Sequence, residues 1–110
     1  MIRTGYNGGQ MWWCDQCDLR QEHNHYVVEW TAGRAPRYCS KCVTAVEVAW
    51  DVAYAIRQHL RCEPEWTAPV ILRWIRELNL PTSRFSAHQV AAVLAQIVAR
   101  HDQGVVSCNR

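Results

Sequence analysis

The fold of the N-terminal half is decided by two short stretches, Cys14-Asp15-Gln16-Cys17 and Cys39-Ser40-Lys41-Cys42. In each, two residues separate the cysteines, so one tight turn can aim both sulfurs at a single ion. Two such pairs fill the tetrahedral shell that zinc prefers at structural sites. The 21 residues between the pairs are close to the spacing of paired zinc knuckles. The sequence therefore predicts one structural zinc ion bound by Cys14, Cys17, Cys39 and Cys42.

Other uses of these cysteines stay open at this point. They could form two independent redox motifs, an iron–sulfur centre or a set of reduced, buried thiols. A thioredoxin-type motif needs a βαβ context, which this sequence lacks. His23 or His25 could replace a cysteine as a ligand, although four cysteines already complete the shell. Cys62 and Cys108 stand alone, and we interpret them as small buried apolar residues.

The residues between and after the cysteine pairs predict a short β-hairpin followed by a long helix. Residues 26–30, Tyr-Val-Val-Glu-Trp, are β-branched and aromatic and indicate a strand. A turn over residues 31–35 would lead to a return strand over residues 36–39. The helix should run from about Lys41 to Arg61, because its polar side chains form one narrow stripe and the rest of its surface is apolar.

This order of elements resembles the treble-clef group of zinc fingers, in which a cysteine knuckle, a hairpin and a second cysteine pair lead into a helix. The resemblance covers residues 12–60. It implies that Cys39 and Cys42 lie in the first turn of the helix, where the helix dipole helps to keep thiolates ionised. Asp18 stands where such knuckles often have glycine, but aspartate tolerates the left-handed conformation better than most residues.

Two further helices are predicted between residues 67 and 103. Thr67 can cap the first of them, and Pro81 stops it. Ser86 and Gln89 can form a capping box at the start of the second. The predicted fold class is thus an α-rich small zinc-binding domain, in which a zinc knuckle and a short β-hairpin lead into a long helix that two C-terminal helices follow.

The predicted domain organisation is simple. Residues 1–11, which are rich in glycine, are expected to form a flexible tail. Residues 12–110 are expected to form a single domain, made of a zinc module over residues 12–61 and a helical pair over residues 67–103.

Composition excludes several classes of protein. The chain is 49% apolar and 20% charged, as an ordinary folded domain is, which excludes a fully disordered chain. It has no run of 18 apolar residues, so no transmembrane helix is predicted. The first ten residues lack the apolar core of a secretory signal, and we therefore expect a cytoplasmic protein. The net charge is only +2 and its small basic surplus lies at the C-terminal end, whereas a dedicated nucleic-acid binder usually shows a denser basic patch.

The two C-terminal helices could form a helix-turn-helix with residues 86–102 as its recognition helix. Glutamines on the outward stripe of that helix would read adenine edges, and arginines nearby would hold phosphates. The candidate nucleic-acid-binding residues are Arg73, Arg76, Arg84, Gln89, Gln96 and Arg100. The same stripe would also suit an ordinary solvated face. The connection between the helices is longer than usual and lacks the turn glycine.

Six tryptophans in 110 residues are unusual. Trp50, Trp66 and Trp74 fall at core positions of the predicted helices, whereas Trp12, Trp13 and Trp30 lie around the predicted zinc site and are expected to be partly exposed. Exposed tryptophans mark protein interfaces or platforms for base stacking. The alternative is that the tryptophans compensate for a small core.

Together these features predict a non-enzymatic zinc protein whose partner is DNA or a protein of the transcription apparatus. The alternative is a protein–protein adaptor or inhibitor that does not contact nucleic acid. A degenerate HNH-type nuclease is a further alternative, because His23-Asn24-His25 contains the residues of that motif. HNH nucleases disperse these residues over their ββα-metal unit, and only His25 could act as general base here. A homodimer through the long helix is also expected, with Val48, Val52 and Ala55 among its contacts.

Overall fold

The computed structural model describes residues 2–6, 8–28, 36–61 and 64–101. Within these ranges the chain forms four short strands followed by three helices. In chain order they are β1 (Ile2–Gly5), β2 (Trp12–Trp13), β3 (Arg20–Gln21), β4 (His25–Val28), α1 (Val43–His59), α2 (Ala68–Glu77) and α3 (Ala87–His101). Across the described ranges, no helix combines the length and the apolar character needed to cross a membrane.

The chain divides into two compact units inside α1. We call Met1–Glu47 the cysteine unit and Val48–Arg110 the helical unit. The predicted single domain over residues 12–110 and its internal boundaries stay predictions.

The first small sheet of the cysteine unit contains a strand that the sequence did not reveal. β1 pairs antiparallel with β4, with Ile2 opposite Val28 and Gly5 opposite His25. The prediction of a flexible tail over residues 1–11 is therefore wrong for residues 2–5. The strand forms because the edge of β4 offers backbone partners, and such a non-local pairing leaves no pattern in a short, glycine-rich segment.

The other edge of β4 carries the pairing that the predicted hairpin requires. The amide of Tyr26 donates to the carbonyl of Tyr38 at 2.9 Å, and the amide of Tyr38 donates back at 2.8 Å. This antiparallel bridge joins β4 to the residues just before the second cysteine pair. The predicted turn over residues 31–35, like Trp30, lies outside the described residues.

α1 closely matches the predicted long helix. Its buried side chains lie on one half of its circumference, so the helix is buried on one broad side and not on most of its surface, as the sequence predicts. These side chains are Val43, Val46, Ala49, Trp50, Val52, Ala53 and Ile56. Arg57 and His59 lie in its last turn, where a positive charge complements the helix dipole. Val52 is only 2% exposed, so the chain itself already covers this predicted dimer contact, whereas Val48 and Ala55 are half-buried. The homodimer stays a prediction.

In the helical unit, α2 and α3 pack against each other. The side chains buried there are Ile71 and Ile75 of α2 and Val90, Ala91, Leu94 and Ile97 of α3. The predicted capping box of α3 is confirmed. The amide of Gln89 donates to Ser86 Oγ, and the amide of Ser86 donates to Gln89 Oε1, both at 3.1 Å.

Both ends of α2 differ from the prediction. Thr67 occupies the N-cap position, but its side chain makes no capping hydrogen bond. Pro69 sits at the second helical position and has no N–H to donate, which removes one of the two usual partners of a capping side chain. The helix ends at Glu77, ahead of Pro81. Asn79 adopts a left-handed φ of 52°, and the amide of Leu80 donates to the Ile75 carbonyl at 3.0 Å, as in a Schellman motif.

Candidate metal centre

The sulfur atoms of Cys14, Cys17, Cys39 and Cys42 converge on one point. All four lie within 4.8 Å of one another. In a tetrahedral site with zinc–sulfur bonds of about 2.3 Å, neighbouring sulfurs are about 3.8 Å apart. The Sγ atoms of Cys17 and Cys39 lie 4.0 Å apart, close to that separation. The four cysteines are therefore positioned to hold one metal ion.

The first cysteine pair lies in a tight knuckle between β2 and β3. The amide of Asp18 donates to the Cys14 carbonyl at 2.9 Å, and the amide of Cys14 donates to the Leu19 carbonyl at 3.1 Å. Asp18 has a φ of 63°, which confirms the left-handed conformation expected where other knuckles have glycine. The turn also directs the Gln16 amide to Cys14 Sγ, at 3.4 Å, where a donor stabilises a thiolate.

The second pair forms the turn that immediately precedes α1. The Cys39 carbonyl accepts from the amides of Cys42, at 3.1 Å, and Val43, at 3.0 Å. The treble-clef resemblance implies that both cysteines lie in the first turn of the helix. That expectation is wrong, because α1 begins at Val43, directly after Cys42. The Cys39 amide donates to Cys14 Sγ at 3.4 Å and so links the two pairs.

Burial and the neighbouring groups shift the pKa values of Cys14, Cys39 and Cys42 in different directions. Burial raises the pKa of Cys14, and burial together with the neighbouring sulfurs raises the pKa of Cys42. For Cys39, burial also raises the pKa, but hydrogen bonds from the Cys42 thiol and from nearby amides outweigh it, and the net shift is downward. Four thiolates at this spacing repel one another, and a bound cation would relieve that repulsion.

Trp12, which precedes the first cysteine pair, packs with the side chains of His25 and Arg37. Trp12 is 2% exposed, which corrects the expectation of partial exposure. Its indole N–H donates to the His23 carbonyl at 2.6 Å, so its one polar atom is satisfied on burial. The His25 ring packs edge-on against the indole, with 5.9 Å between ring centroids, and the Arg37 guanidinium lies 5.9 Å from the indole centroid.

Arg37 is also tied to the knuckle through its backbone. Its amide donates to Asp15 Oδ2 at 2.7 Å, and its carbonyl accepts from the Asp15 amide at 2.9 Å. These two bonds join the first cysteine pair to the chain that leads into the second. The sequence does not reveal this link, because Asp15 and Arg37 are ordinary surface residue types 22 positions apart.

Neither His23 nor His25 joins the metal centre. In the part of the chain that the structure describes, the one group of three or more potential ligands consists of the four cysteines. His25 instead lies opposite Gly5, and a Cβ added at Gly5 would overlap the His25 ring. Burial and the nearby charge of Arg37 lower the pKa of His25. The sequence does not predict the packing of Gly5 against this ring, because that contact depends on the pairing of β1 with β4, which the sequence does not predict either.

The six candidate nucleic-acid-binding residues are all exposed. Several already contact their neighbours. Arg73 pairs with Glu77 at 3.7 Å, Arg84 lies 5.2 Å from the Phe85 ring centroid, and Gln89 belongs to the capping box of α3. Arg73 and Arg76 belong to α2, and Gln89, Gln96 and Arg100 to α3. Cys62 and Cys108 lie outside the described residues.

Comparisons of the chain with protein-family models, with curated proteins and with solved structures find no match. The resemblance to the treble-clef group therefore stays a prediction based on cysteine spacing and element order. The structure itself establishes a small chain with two antiparallel sheets, three helices among the described residues, and a cluster of four cysteines that can hold a metal ion.

Proposed function

We propose that the four-cysteine cluster binds one structural zinc ion. The proximity of the four sulfurs, all within 4.8 Å of one another, carries this proposal. Thiolates favour zinc or iron–sulfur centres over magnesium and calcium, and a tetrahedral set of four sulfurs suits a single zinc ion. Four protein ligands leave no open coordination position, so the metal would have a structural role and no catalytic one.

The cysteine unit has little else to stabilise it. Its strands are two to four residues long, and such short strands bury too little apolar surface to offset the entropy of ordering the chain. Zinc ligation contributes about 10–16 kcal/mol in zinc-finger peptides at neutral pH. The metal would thus supply most of the stability of this unit.

We further propose that the protein is a non-enzymatic binding protein and that its helical unit contacts DNA. Exposure of all six candidate residues supports this, since arginines and glutamines in such positions can reach phosphates and base edges. Charge supports it as well. The helical unit has seven basic and five acidic residues, whereas the cysteine unit has five of each. Four thiolates around a zinc ion would lower the charge of the cysteine unit to about −2, so phosphates would favour the helical unit.

A protein–protein adaptor is the second candidate, and one observation favours it. The large apolar side chains that are most exposed in the described residues lie mainly in the cysteine unit. They are Tyr6, Met11, Trp13 and Leu19, with Tyr54 on α1 as the fifth. Contiguous apolar patches on a protein surface mark interfaces, and these side chains are the candidates for such a patch.

A salt titration separates the two candidates. The zinc-loaded protein is titrated onto random duplex DNA at several salt concentrations. If the helical unit binds DNA, affinity falls steeply with salt, and Arg84→Ala and Arg100→Ala each lower the salt slope by about one. Arg20→Ala removes the same charge from the cysteine unit and serves as the matched control, with an unchanged slope. Absence of binding at low salt, or equal effects of all three variants, would contradict DNA binding by the helical unit.

A further inference from the structure

The four sulfurs of the cluster differ in how far solvent reaches them. Cys14 is fully buried and Cys39 is 5% exposed, whereas Cys17 and Cys42 are half-buried. Cys14 Sγ also accepts hydrogen bonds from the amides of Gln16 and Cys39, both at 3.4 Å, and such donors make a thiolate a weaker nucleophile. Oxidation of cysteine follows thiolate character and exposure. A small oxidant from solvent should therefore react first in the half-buried part of the cluster.

Cys17 belongs to that part and has a second sulfur in position to react with it. Its Sγ lies 4.0 Å from Cys39 Sγ, so the two atoms must approach by about 2 Å to form a disulfide. The chain also holds the two segments together without a metal ion, because Asp15 and Arg37 exchange hydrogen bonds of 2.7 and 2.9 Å. Asp15 is two residues before Cys17, and Arg37 is two residues before Cys39. The two sulfurs should thus stay within reach of each other while they react.

We propose, as a form of regulation that rests on the proposed zinc site, that Cys17 and Cys39 are a peroxide-sensitive switch. The Cys17 thiolate attacks one oxygen of hydrogen peroxide, which gives a sulfenic acid at Cys17 and releases hydroxide. The Cys39 thiolate then attacks the Cys17 sulfur, forms the disulfide and displaces a second hydroxide. The two sulfurs together lose two electrons, and the two peroxide oxygens gain them. Only Cys14 and Cys42 then remain as ligands, half of the tetrahedral set, so the zinc ion is released.

Oxidation would exchange one link between the two cysteine pairs for another. In the zinc-bound form the metal joins all four sulfurs, and in the oxidised form the Cys17–Cys39 disulfide joins the knuckle to the chain that leads into α1. The knuckle stays attached, so reduction of the disulfide restores the four thiolates in place. Reversibility distinguishes such a switch from oxidative damage, in which sulfur proceeds to sulfinic and sulfonic acids.

The test uses the full-length, zinc-loaded protein, whose zinc content is measured first. Hydrogen peroxide is added in steps up to one equivalent per chain, and a metallochromic dye reports the zinc released. We expect about one zinc ion for each peroxide consumed, with full recovery after dithiothreitol and zinc are added. Protein purified without zinc would overturn both the zinc site and the switch. Protein that keeps its zinc in peroxide, or that cannot be restored by dithiothreitol and zinc, would overturn the switch alone.

Trypsin separates the alternative disulfides. Cleavage after arginine and lysine leaves Cys14 and Cys17 in peptide 4–20, Cys39 in peptide 38–41 and Cys42 in peptide 42–57. We expect the oxidised protein to yield peptide 4–20 joined to peptide 38–41, with fragmentation in the mass spectrometer placing the bond at Cys17. A main product with the bond at Cys14, inside peptide 4–20, or between peptides 38–41 and 42–57 would contradict the assigned pair.

The double variant Cys62→Ser, Cys108→Ser is the matched control, because it leaves only the four cysteines of the two Cys-x-x-Cys pairs. It should release zinc with the same dependence on peroxide, give the same joined peptides and recover as fully as the wild-type protein. Loss of the response in this variant would show that oxidation proceeds through Cys62 or Cys108, and it would overturn the switch.

Discussion

Replacing Cys39 by serine removes the ligand that links the two halves of the cluster. Its sulfur lies 4.0 Å from Cys17 Sγ, and its amide donates to Cys14 Sγ. A ligation free energy of about 10–16 kcal/mol, shared among four ligands, assigns roughly 2.5–4 kcal/mol to each. Ordinary domains are stabilised by about 0.05–0.15 kcal/mol per residue, which for a unit of this size is roughly 2–7 kcal/mol. The loss of Cys39 is thus comparable to the whole stability of the cysteine unit.

The expected result is selective unfolding. Trp12 should lose its near-ultraviolet circular dichroism and its dispersed indole resonance, because its burial and its bond to the His23 carbonyl depend on the knuckle. Much of the far-ultraviolet helix signal should persist, because α2 and α3 have their own buried faces. Chelation of the wild-type protein should have the same effect as the variant.

Cys108→Ser is the matched control, since it removes a cysteine that belongs to neither Cys-x-x-Cys pair. It should leave metal content and the Trp12 signals unchanged. The reasoning is refuted if Cys39→Ser retains one tightly bound metal per chain with an unaltered Trp12 signal, or if the helix signal disappears together with the knuckle.

Three further predictions test other parts of the account. Gly5→Ala should destabilise the cysteine unit by about 1–3 kcal/mol, because the new methyl group overlaps the His25 ring. The variant should therefore unfold at a lower chelator concentration than the wild-type protein, and an unchanged concentration at half-unfolding would argue against this contact. The pKa of His25, followed by NMR of its ring protons, should lie below 6.5. The neutral ring then contributes stability that is fully present above pH 6.5 and is lost as the pH falls through the lower pKa of the folded protein. A pKa at or above 6.5 would show that the ring is not desolvated. Ser86→Ala should cost about 1 kcal/mol in thermal unfolding of the helical unit, whereas Thr67→Ala, whose side chain makes no capping bond, should cost clearly less; equal losses would contradict the assigned caps.

Features encoded by local chemistry could be predicted from the sequence. The Cys-x-x-Cys spacing anticipated the cluster, the pair Ser86 and Gln89 anticipated the start of α3, and Asp18 anticipated the left-handed knuckle residue. In each case the interacting atoms are within a few residues of one another, or the ligand chemistry is unambiguous. The outward stripe of α3 followed from helical periodicity in the same way.

Features that depend on distant partners could not be predicted. β1 exists because of an edge offered by β4, and its sequence carries no signal of that pairing. Trp12 is buried because His25 and Arg37 cover it, although its sequence neighbours resemble those of the exposed Trp13. The sequence predicts that Pro81 ends α2, but the left-handed Asn79 completes a Schellman motif first. Local sequence rules identified residues that can end a helix, but they did not show which of two such residues, Asn79 or Pro81, ends α2.

The most direct test of the central claim is X-ray absorption at the zinc edge, combined with metal analysis of the purified protein. We expect one zinc ion per chain, surrounded by four sulfur atoms at about 2.3 Å. Cys62→Ser and Cys108→Ser should leave both the stoichiometry and the sulfur shell unchanged. Protein that contains no metal, or a shell in which nitrogen or oxygen replaces a sulfur, would contradict the assignment of Cys14, Cys17, Cys39 and Cys42 as a structural zinc site.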